Sequence, residues 1–368
     1  MRIGILTSSR ADFGIYLPLL KALKEDGFFK VEIIAFGTHL SNFHGYSLNQ
    51  IQDAGFNVKY TIDSMPLSDS PDAIASAIGL TTIKFSSFWK MNHHNFDVVF
   101  CLGDRYEMFA AVMAGVPFQV QFAHLHGGEK TLGAIDNVFR HCISHASTIH
   151  FASTQTYADR LKAMLDEPKQ VYNVGAIGLE NIGQVKLLTC EEFRDKWGVD
   201  LKKTTILTTF HPETVNADKN EYYADELVKV IKANEKFQYL VTMPNADTAG
   251  SIIRKVFIQE LDSLPNVFLI ENLGTQSYFT AMKFCAFLLG NTSSGIIEAA
   301  SFGKYVINLG ARQEGRAIGP NILQASLTQE SIQSALSSLE GINEFSGGNI
   351  YFKTGSVNQV IKILKELV

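Results

Sequence analysis

The sequence predicts an α/β protein of two Rossmann-like domains, each a doubly wound parallel sheet, and three observations lead there. Short apolar runs alternate with helical patterns along the chain, and that rhythm stops and restarts once near the middle. Ionisable or small hydroxyl residues cluster directly after the apolar runs, where open α/β sheets bind their ligands. At 368 residues the chain exceeds the usual single domain, and 46% hydrophobic residues supply a core for each half.

In the first half, residues 2–7, 31–36, 97–102 and 118–123 read as strands buried on both faces, and residues 15–25, 71–91, 107–114 and 134–145 as the helices between them. A further strand at 171–174 is followed by Gly175, Gly178 and Gly183, which interrupt the rhythm and mark the linker before a helix at 191–197. The second array has strands at 204–209, 238–241, 267–270, 286–289 and 305–308, with helices at 221–233, 251–261, 276–283 and 294–300. The expected division is 1–178 and 179–355, with 356–368 as a closing segment. Two such domains facing each other put the active site in the cleft between them.

Composition narrows the partners. Thirty-two Lys and Arg against 37 Asp and Glu give a formal charge of -5, which offers no basic field to nucleic acid or to an anionic membrane. The apolar run at 284–289 is far below the ~20 residues of a membrane span, and the run at 3–6 is too short for a signal-peptide core, so the cytoplasm is the expected location. Cys101, Cys142, Cys190 and Cys285 lie at least 41 residues apart, a spacing of reduced thiols rather than of a zinc site or a disulfide framework.

The motifs follow the strands. Ser8-Ser9-Arg10-Ala11-Asp12 turns into a helix and brings Arg10 to a place suited to an anion; an Arg10–Asp12 surface pair is the plainer alternative. The turn lacks GxGxxG spacing, which disfavours a dinucleotide. Gly103-Asp104-Arg105-Tyr106-Glu107 puts three ionisable groups after a buried run, more than a helix cap at Asp104 explains. His124-Leu125-His126-Gly127-Gly128-Glu129 is the densest stretch, followed by Asp136 and by Arg140-His141. Extended backbone would put His124 and His126 on one face like a metal pair, but no third ligand is evident and Glu129 lies past a flexible Gly pair, so no metal is expected. Acid–base chemistry by the imidazoles and carboxylates of this stretch, His124, His126, Glu129 and Asp136, is the better reading; Asp136 and Arg140 alone fit an i,i+4 ion pair.

In the second half, Pro212 ends a strand and turns His211 towards the cleft, though a loop histidine held by the fold fits equally. Gly290-Asn291-Thr292-Ser293-Ser294-Gly295 runs from a strand into a helix, and its free N–H groups and hydroxyls form a receptor for a diphosphate. Glu298 is one turn past Ser294 and at the wrong offset for a capping box, so its carboxylate suits the two hydroxyls of a ribose. Arg312 and Arg316, after the next strand, add phosphate-directed charge.

In this order, these motifs resemble the hydrolysing UDP-N-acetylglucosamine 2-epimerases of sialic acid biosynthesis, over about 85% of the chain. The resemblance implies GT-B architecture, with the last helix packed back on the first domain. It implies UDP contacts from Arg10, Arg105, His211, Thr292, Ser293, Ser294, Glu298 and Arg312, and a catalytic set of Asp104, His126, Glu129, Asp136 and His211. Several relatives carry Glu at the place of His126, so that role here falls to His126 or Glu129. The implied reaction releases UDP and free N-acetylmannosamine through a 2-acetamidoglucal, with no cofactor, in a homo-oligomer (dimer or tetramer). The alternatives are the same reaction on a UDP-2,4-diacetamido-2,4,6-trideoxy-sugar, a GT-B glycosyltransferase, or a UDP-sugar-binding regulator. The non-hydrolysing epimerases differ in having His-Val-Glu-Ala-Gly and Asp-Ser-Gly-Gly where His124 to Gly128 and Thr292 to Gly295 stand here.

Overall fold

The computed structural model describes residues 1–42, 46–66, 68, 70–166, 170–213, 215, 217–244, 250–342 and 344–367. The chain forms two units: Met1–Glu129, Asp136–Gly183 and Tyr351–Val368 make the first, and Lys130–Ile135 with Gln184–Ile350 make the second.

The first unit is built on β1 (Arg2–Thr7), β2 (Lys30–Phe36), β3 (Val58–Ile62), β4 (Val98–Leu102), β5 (Phe122–Leu125), β6 (Ile149–Ala152) and β7 (Val171–Asn173). They pair in parallel in the order β3-β2-β1-β4-β5-β6-β7. Every side chain of β4 is buried, as a strand covered by helices on both faces demands. One face packs Ile3, Ile5 and Ile33 against Leu19, Leu20 and Leu23 of the helix Arg10–Glu25 and against Val360, Ile363 and Leu364 of the last helix, Ser356–Glu366. The alternate residues Leu6, Ile34 and Phe36 meet Phe85, Trp89, Met108 and Val112 from Pro71–Asn92 and Tyr106–Gly115 on the other face.

The second unit has β8 (Thr205–Thr209), β9 (Gln238–Thr242), β10 (Val267–Ile270), β11 (Phe287–Gly290), β12 (Val306–Leu309) and β13 (Ile322–Ala325), parallel in the order β10-β9-β8-β11-β12-β13. In both sheets the chain starts at the centre, winds one way and then reverses. The switch points lie between β1 and β4 and between β8 and β11, and ligands bind beyond the carboxyl ends of strands at such points.

Three expectations change. The strand expected at 118–123 begins at Phe122: Pro117 opens a 3-10 turn at Val116–Phe118 and Gln119 takes the left-handed conformation at φ 55°. β3, β6 and β13 lie outside the expected strands: β3 and β13 are edge strands with few fully buried residues, and β6 contains the buried His150. The helix expected at 294–300 ends at Ile297 and passes into a 3-10 turn at Ala299–Phe302. Among the described residues no helix is long and apolar enough to cross a membrane.

Candidate active site

In the first unit the backbone register sets the site. Leu102 lies beside Leu125, Gly103 N–H donates to Leu125 O at 3.0 Å, and His126 N–H donates to Phe151 O at 3.1 Å. Asp104 and His126 therefore leave the sheet from neighbouring strand ends. His126 is not extended: its φ of 62° turns the chain at once. The extended backbone on which a shared face for His124 and His126 was expected is therefore not what the chain adopts at His126.

His124 is consumed by the fold. Its Nε2–H donates to Gly103 O at 2.8 Å and its Nδ1 accepts from the Ser144 hydroxyl at 3.0 Å. Burial is the main cause that lowers its protonation to about 3, so the ring stays neutral and has no lone pair to offer a metal. His126, in contrast, directs Nδ1 to Glu129 Oε1 at 2.7 Å, and Ser153 Oγ donates to the same oxygen at 2.6 Å. With the carboxylate as acceptor, Nδ1 carries a proton, and the tautomer this selects for a neutral ring has its lone pair on Nε2, the form a general base needs.

Arg140, a residue that the sequence reading weighed only as a partner of Asp136, is the hub. Its guanidinium is almost wholly buried, pairs with the Asp104 carboxylate, approaches Glu129 Oε2 at 3.5 Å and donates to His126 O at 3.0 Å. The helix Asp136–Ala146 turns Arg140 inward, and these partners come from two strand ends rather than from its own helix. The supposed flexibility of Gly127-Gly128 is corrected as well. A Cβ on Gly127 would stand 2.9 Å from His124 Nδ1 and one on Gly128 2.6 Å from Tyr157 O, while Arg160 donates to Gly128 O at 2.9 Å and Glu129 O at 3.1 Å. The loop is tight, which fixes Glu129.

Around β1 and β4 the simple alternatives fall away. The N-cap of Tyr106–Gly115 is Arg105, not Asp104, and Arg105 is held by a bidentate pair to buried Glu107 at 3.2 and 2.8 Å. Asp12 turns its carboxylate back to the Ser8 N–H at 2.8 Å and hydroxyl at 2.7 Å instead of to Arg10. The sequence reading missed His39, whose ring nitrogens meet Thr7 Oγ1 at 2.9 Å and Ser47 Oγ at 2.8 Å. Burial first, with Arg10 and Arg105 opposing the charge and Asp12 favouring it, brings its protonation down to about 4. Its signal was there: Gly37-Thr38-His39 follows the apolar run of β2 as the other motifs follow theirs.

In the second unit Asn291 joins the parts. Its Oδ1 accepts the His211 N–H at 2.7 Å, its Nδ2 donates to His211 O at 2.8 Å, and its own carbonyl takes Gln313 Nε2 at 2.8 Å and an Arg312 Nη1 at 3.4 Å. This brings His211, Thr292 and Arg312 to one strand edge. Gly290 is obligatory there: at φ 148° a Cβ would stand 1.9 Å from Thr209 O. Thr292 caps Ser293–Ile297 by accepting from Ser294 N–H at 3.4 Å, and Ser294 Oγ donates to the Glu298 carboxyl. Glu298 is thus no capping-box residue. Burial raises its pKa to about 7, against the Ser294 bond, which lowers it. Five residues make a weak dipole, so what this turn could offer an anion is its N–H groups, its hydroxyls and Arg312. Leu132 N–H donates to Glu314 O at 2.9 Å, so Lys130–Ile135, between Glu129 and Asp136 in sequence, packs on the Arg312 loop. Asn291 and Glu213 stand within the motifs read from the sequence, but neither was given a role there.

The family model of UDP-N-acetylglucosamine 2-epimerases matches residues 21–365. The UDP-N,N'-diacetylbacillosamine 2-epimerase (hydrolyzing) of Legionella pneumophila is 31% identical over 366 residues, which is 100% of this chain and 96% of that protein. The polysialic acid biosynthesis protein P7 of Escherichia coli is 30% identical over 378 residues, 100% of this chain and 94% of that one. Among solved structures, the UDP-GlcNAc 2-epimerase from Neisseria meningitidis bound to UDP-GlcNAc aligns over 100% of both chains with a TM-score of 0.83 at 16% identity. That likeness speaks for the GT-B fold alone.

Proposed function

Because the chain belongs to the UDP-N-acetylglucosamine 2-epimerase family, we propose that it is a hydrolysing 2-epimerase that converts UDP-N-acetylglucosamine and water into UDP and free N-acetylmannosamine. The observation that carries the reading is the Arg140 hub, which gathers Asp104, His126 and Glu129 at adjacent strand ends. A sugar-binding regulator or a glycosyltransferase has no need of such a proton-transfer cluster.

In this reading a base takes the C2 proton, the C1–O bond breaks with its electron pair leaving on UDP, and a 2-acetamidoglucal forms. Water then adds across the double bond, hydroxyl to C1 and proton to C2 on the opposite face, which inverts C2. The equation balances with water alone. The C2 proton is weakly acidic, so the departing diphosphate must be stabilised, the work of Arg10, Arg105, Arg312, Thr292, Ser293 and Ser294, with Glu298 on the ribose and His211 beside the phosphates. Asp104, His126, Glu129 and Asp136 divide proton removal, C2 reprotonation and water activation. His126 replaces the Glu of several relatives as an imidazole oriented by Glu129.

The Legionella relative favours a second reading, the same chemistry on a UDP-2,4-diacetamido-trideoxy-sugar. One experiment tests both: each substrate in D2O, with products followed by NMR. The expected result is UDP plus a free 2-acetamido sugar of inverted C2 configuration with deuterium at C2, and the substrate turned over faster names the sugar. An epimer still attached to UDP, or an uninverted sugar that keeps hydrogen at C2, would refute the proposal.

A further inference from the structure

Glu213 follows His211 and Pro212 at the end of β8 and is 1% exposed. Its backbone is fixed from both sides, since its N–H donates to Asn220 Oδ1 at 2.9 Å and Asn220 Nδ2 donates to its carbonyl at 3.0 Å. Its side chain reaches 98 residues along the sequence, where Oε1 accepts the Ala311 N–H at 2.6 Å. Gly310 has φ 68°, and a Cβ on it would stand 2.4 Å from that same oxygen, so the turn is shaped around the carboxyl group. On the other side of the turn, a Cβ on Gly133 would lie 2.3 Å from Ala311 O. The backbone just before Arg312 is therefore gripped from two directions, and among the described residues no cation lies within ion-pair distance of Glu213.

A carboxylate buried without a cation is costly, and a fold that only needed to fill this space would do better with an apolar side chain. What the group does is hold one backbone N–H, by the charge-assisted bond that is the stronger kind. We propose that Glu213 is a positioning residue for nucleotide binding: it fixes the Gly310–Ala311 backbone so that the Arg312 guanidinium is presented to the phosphates. This rests on the UDP reading above and adds to it a residue that never touches the ligand.

The test is a double-mutant cycle on the full chain, with UDP binding measured by calorimetry for wild type, Glu213→Ala, Glu213→Gln, Arg312→Ala and the Glu213→Ala/Arg312→Ala pair. Glu213→Ala weakens UDP by about tenfold or more, the scale of one charge-assisted bond. Glu213→Gln, which keeps an acceptor oxygen, stays within about threefold of wild type. In the Arg312→Ala background the loss of Glu213 adds less than about twofold, because the two act through one contact. Losses that multiply in the pair, or wild-type affinity in Glu213→Ala, overturn the role of Glu213 and leave the nucleotide reading standing. A wild-type protein that binds no UDP overturns the nucleotide reading itself. If Glu213→Ala fails to fold, Glu213→Asp, which withdraws the acceptor by one methylene, replaces it in the same cycle.

Discussion

If Glu298 holds the ribose as proposed, its raised pKa makes UDP affinity depend on pH in a way that can be worked out beforehand. Without ligand its carboxyl titrates at about 7, since burial outweighs the Ser294 hydroxyl that donates to it. On the proposed reading the ribose diol donates to this group, which requires the ionised form. That form is about one eleventh of the population at pH 6 and about ten elevenths at pH 8, so the association constant rises about tenfold, or about 1.4 kcal/mol. The second ionisation of a phosphate monoester lies near pH 6 and a similar step on UDP adds to the rise, so the informative quantity is the ratio of wild type to Glu298→Gln. Calorimetry at pH 6 in buffers of different ionisation enthalpy should show a proton released by wild type beyond that released by the variant. Stability runs the opposite way. A carboxyl whose folded pKa is raised from 4.5 to about 7 contributes fully below pH 4.5 and loses that contribution as pH climbs through 7. Glu298→Gln should therefore be more stable than wild type at pH 8 without ligand, by at most about 3 kcal/mol and less for its partial exposure, as read by urea denaturation. Equal pH slopes of affinity in wild type and Glu298→Gln would refute the assignment of this carboxyl to the ribose.

Asp104→Asn and Asp136→Asn should leave the UDP dissociation constant near wild type while turnover falls about 100-fold or more, as acid–base groups require; full activity in both variants would return these residues to structural duty. His124→Ala should lose about 2 to 5 kcal/mol in urea denaturation, because Gly103 O and the Ser144 hydroxyl are left unpaired in the core. With protonation held at about 3, His124 should also add no inflection to the rate profile between pH 5 and 8. A fully stable but inactive His124→Ala would give the imidazole a chemical role.

What the sequence made legible is what apolar periodicity and chain order determine. Parallel strands buried on both faces write themselves as apolar runs, and a polar cluster after such a run calls for a reason beyond apolar packing; Asp104, His126, His211 and Arg312 were singled out as candidates that way. Arg140 and Glu213 were not, because their partners are chosen by tertiary structure. Arg140 meets Asp104 across 36 residues and Glu213 meets Ala311 across 98. Local spacing offered only Asp136 at i,i+4 for Arg140, a pairing the helix rotation does not use. The β5 error has the same origin at smaller scale: Pro117 and the left-handed Gln119 reset the chain just before the strand, and no periodicity records that.

The histidines show why sequence stops short of roles. His39, His124 and His126 all follow apolar runs, and nothing in their neighbours separates a ring that serves the fold from one that serves chemistry. The structure distinguishes the three rings only by the hydrogen-bond partners of their nitrogens. In His39 and His124 both nitrogens are occupied by groups of the protein, and burial brings their protonation down to about 4 and 3, so neither ring can exchange a proton near neutrality without breaking a bond of the fold. In His126 only Nδ1 is occupied, by the Glu129 carboxyl, and among the described residues Nε2 has no partner. A ring held at one nitrogen and open at the other meets the geometric requirement for a general base, which is why the proposed mechanism groups His126 rather than His124 with Asp104 and Glu129.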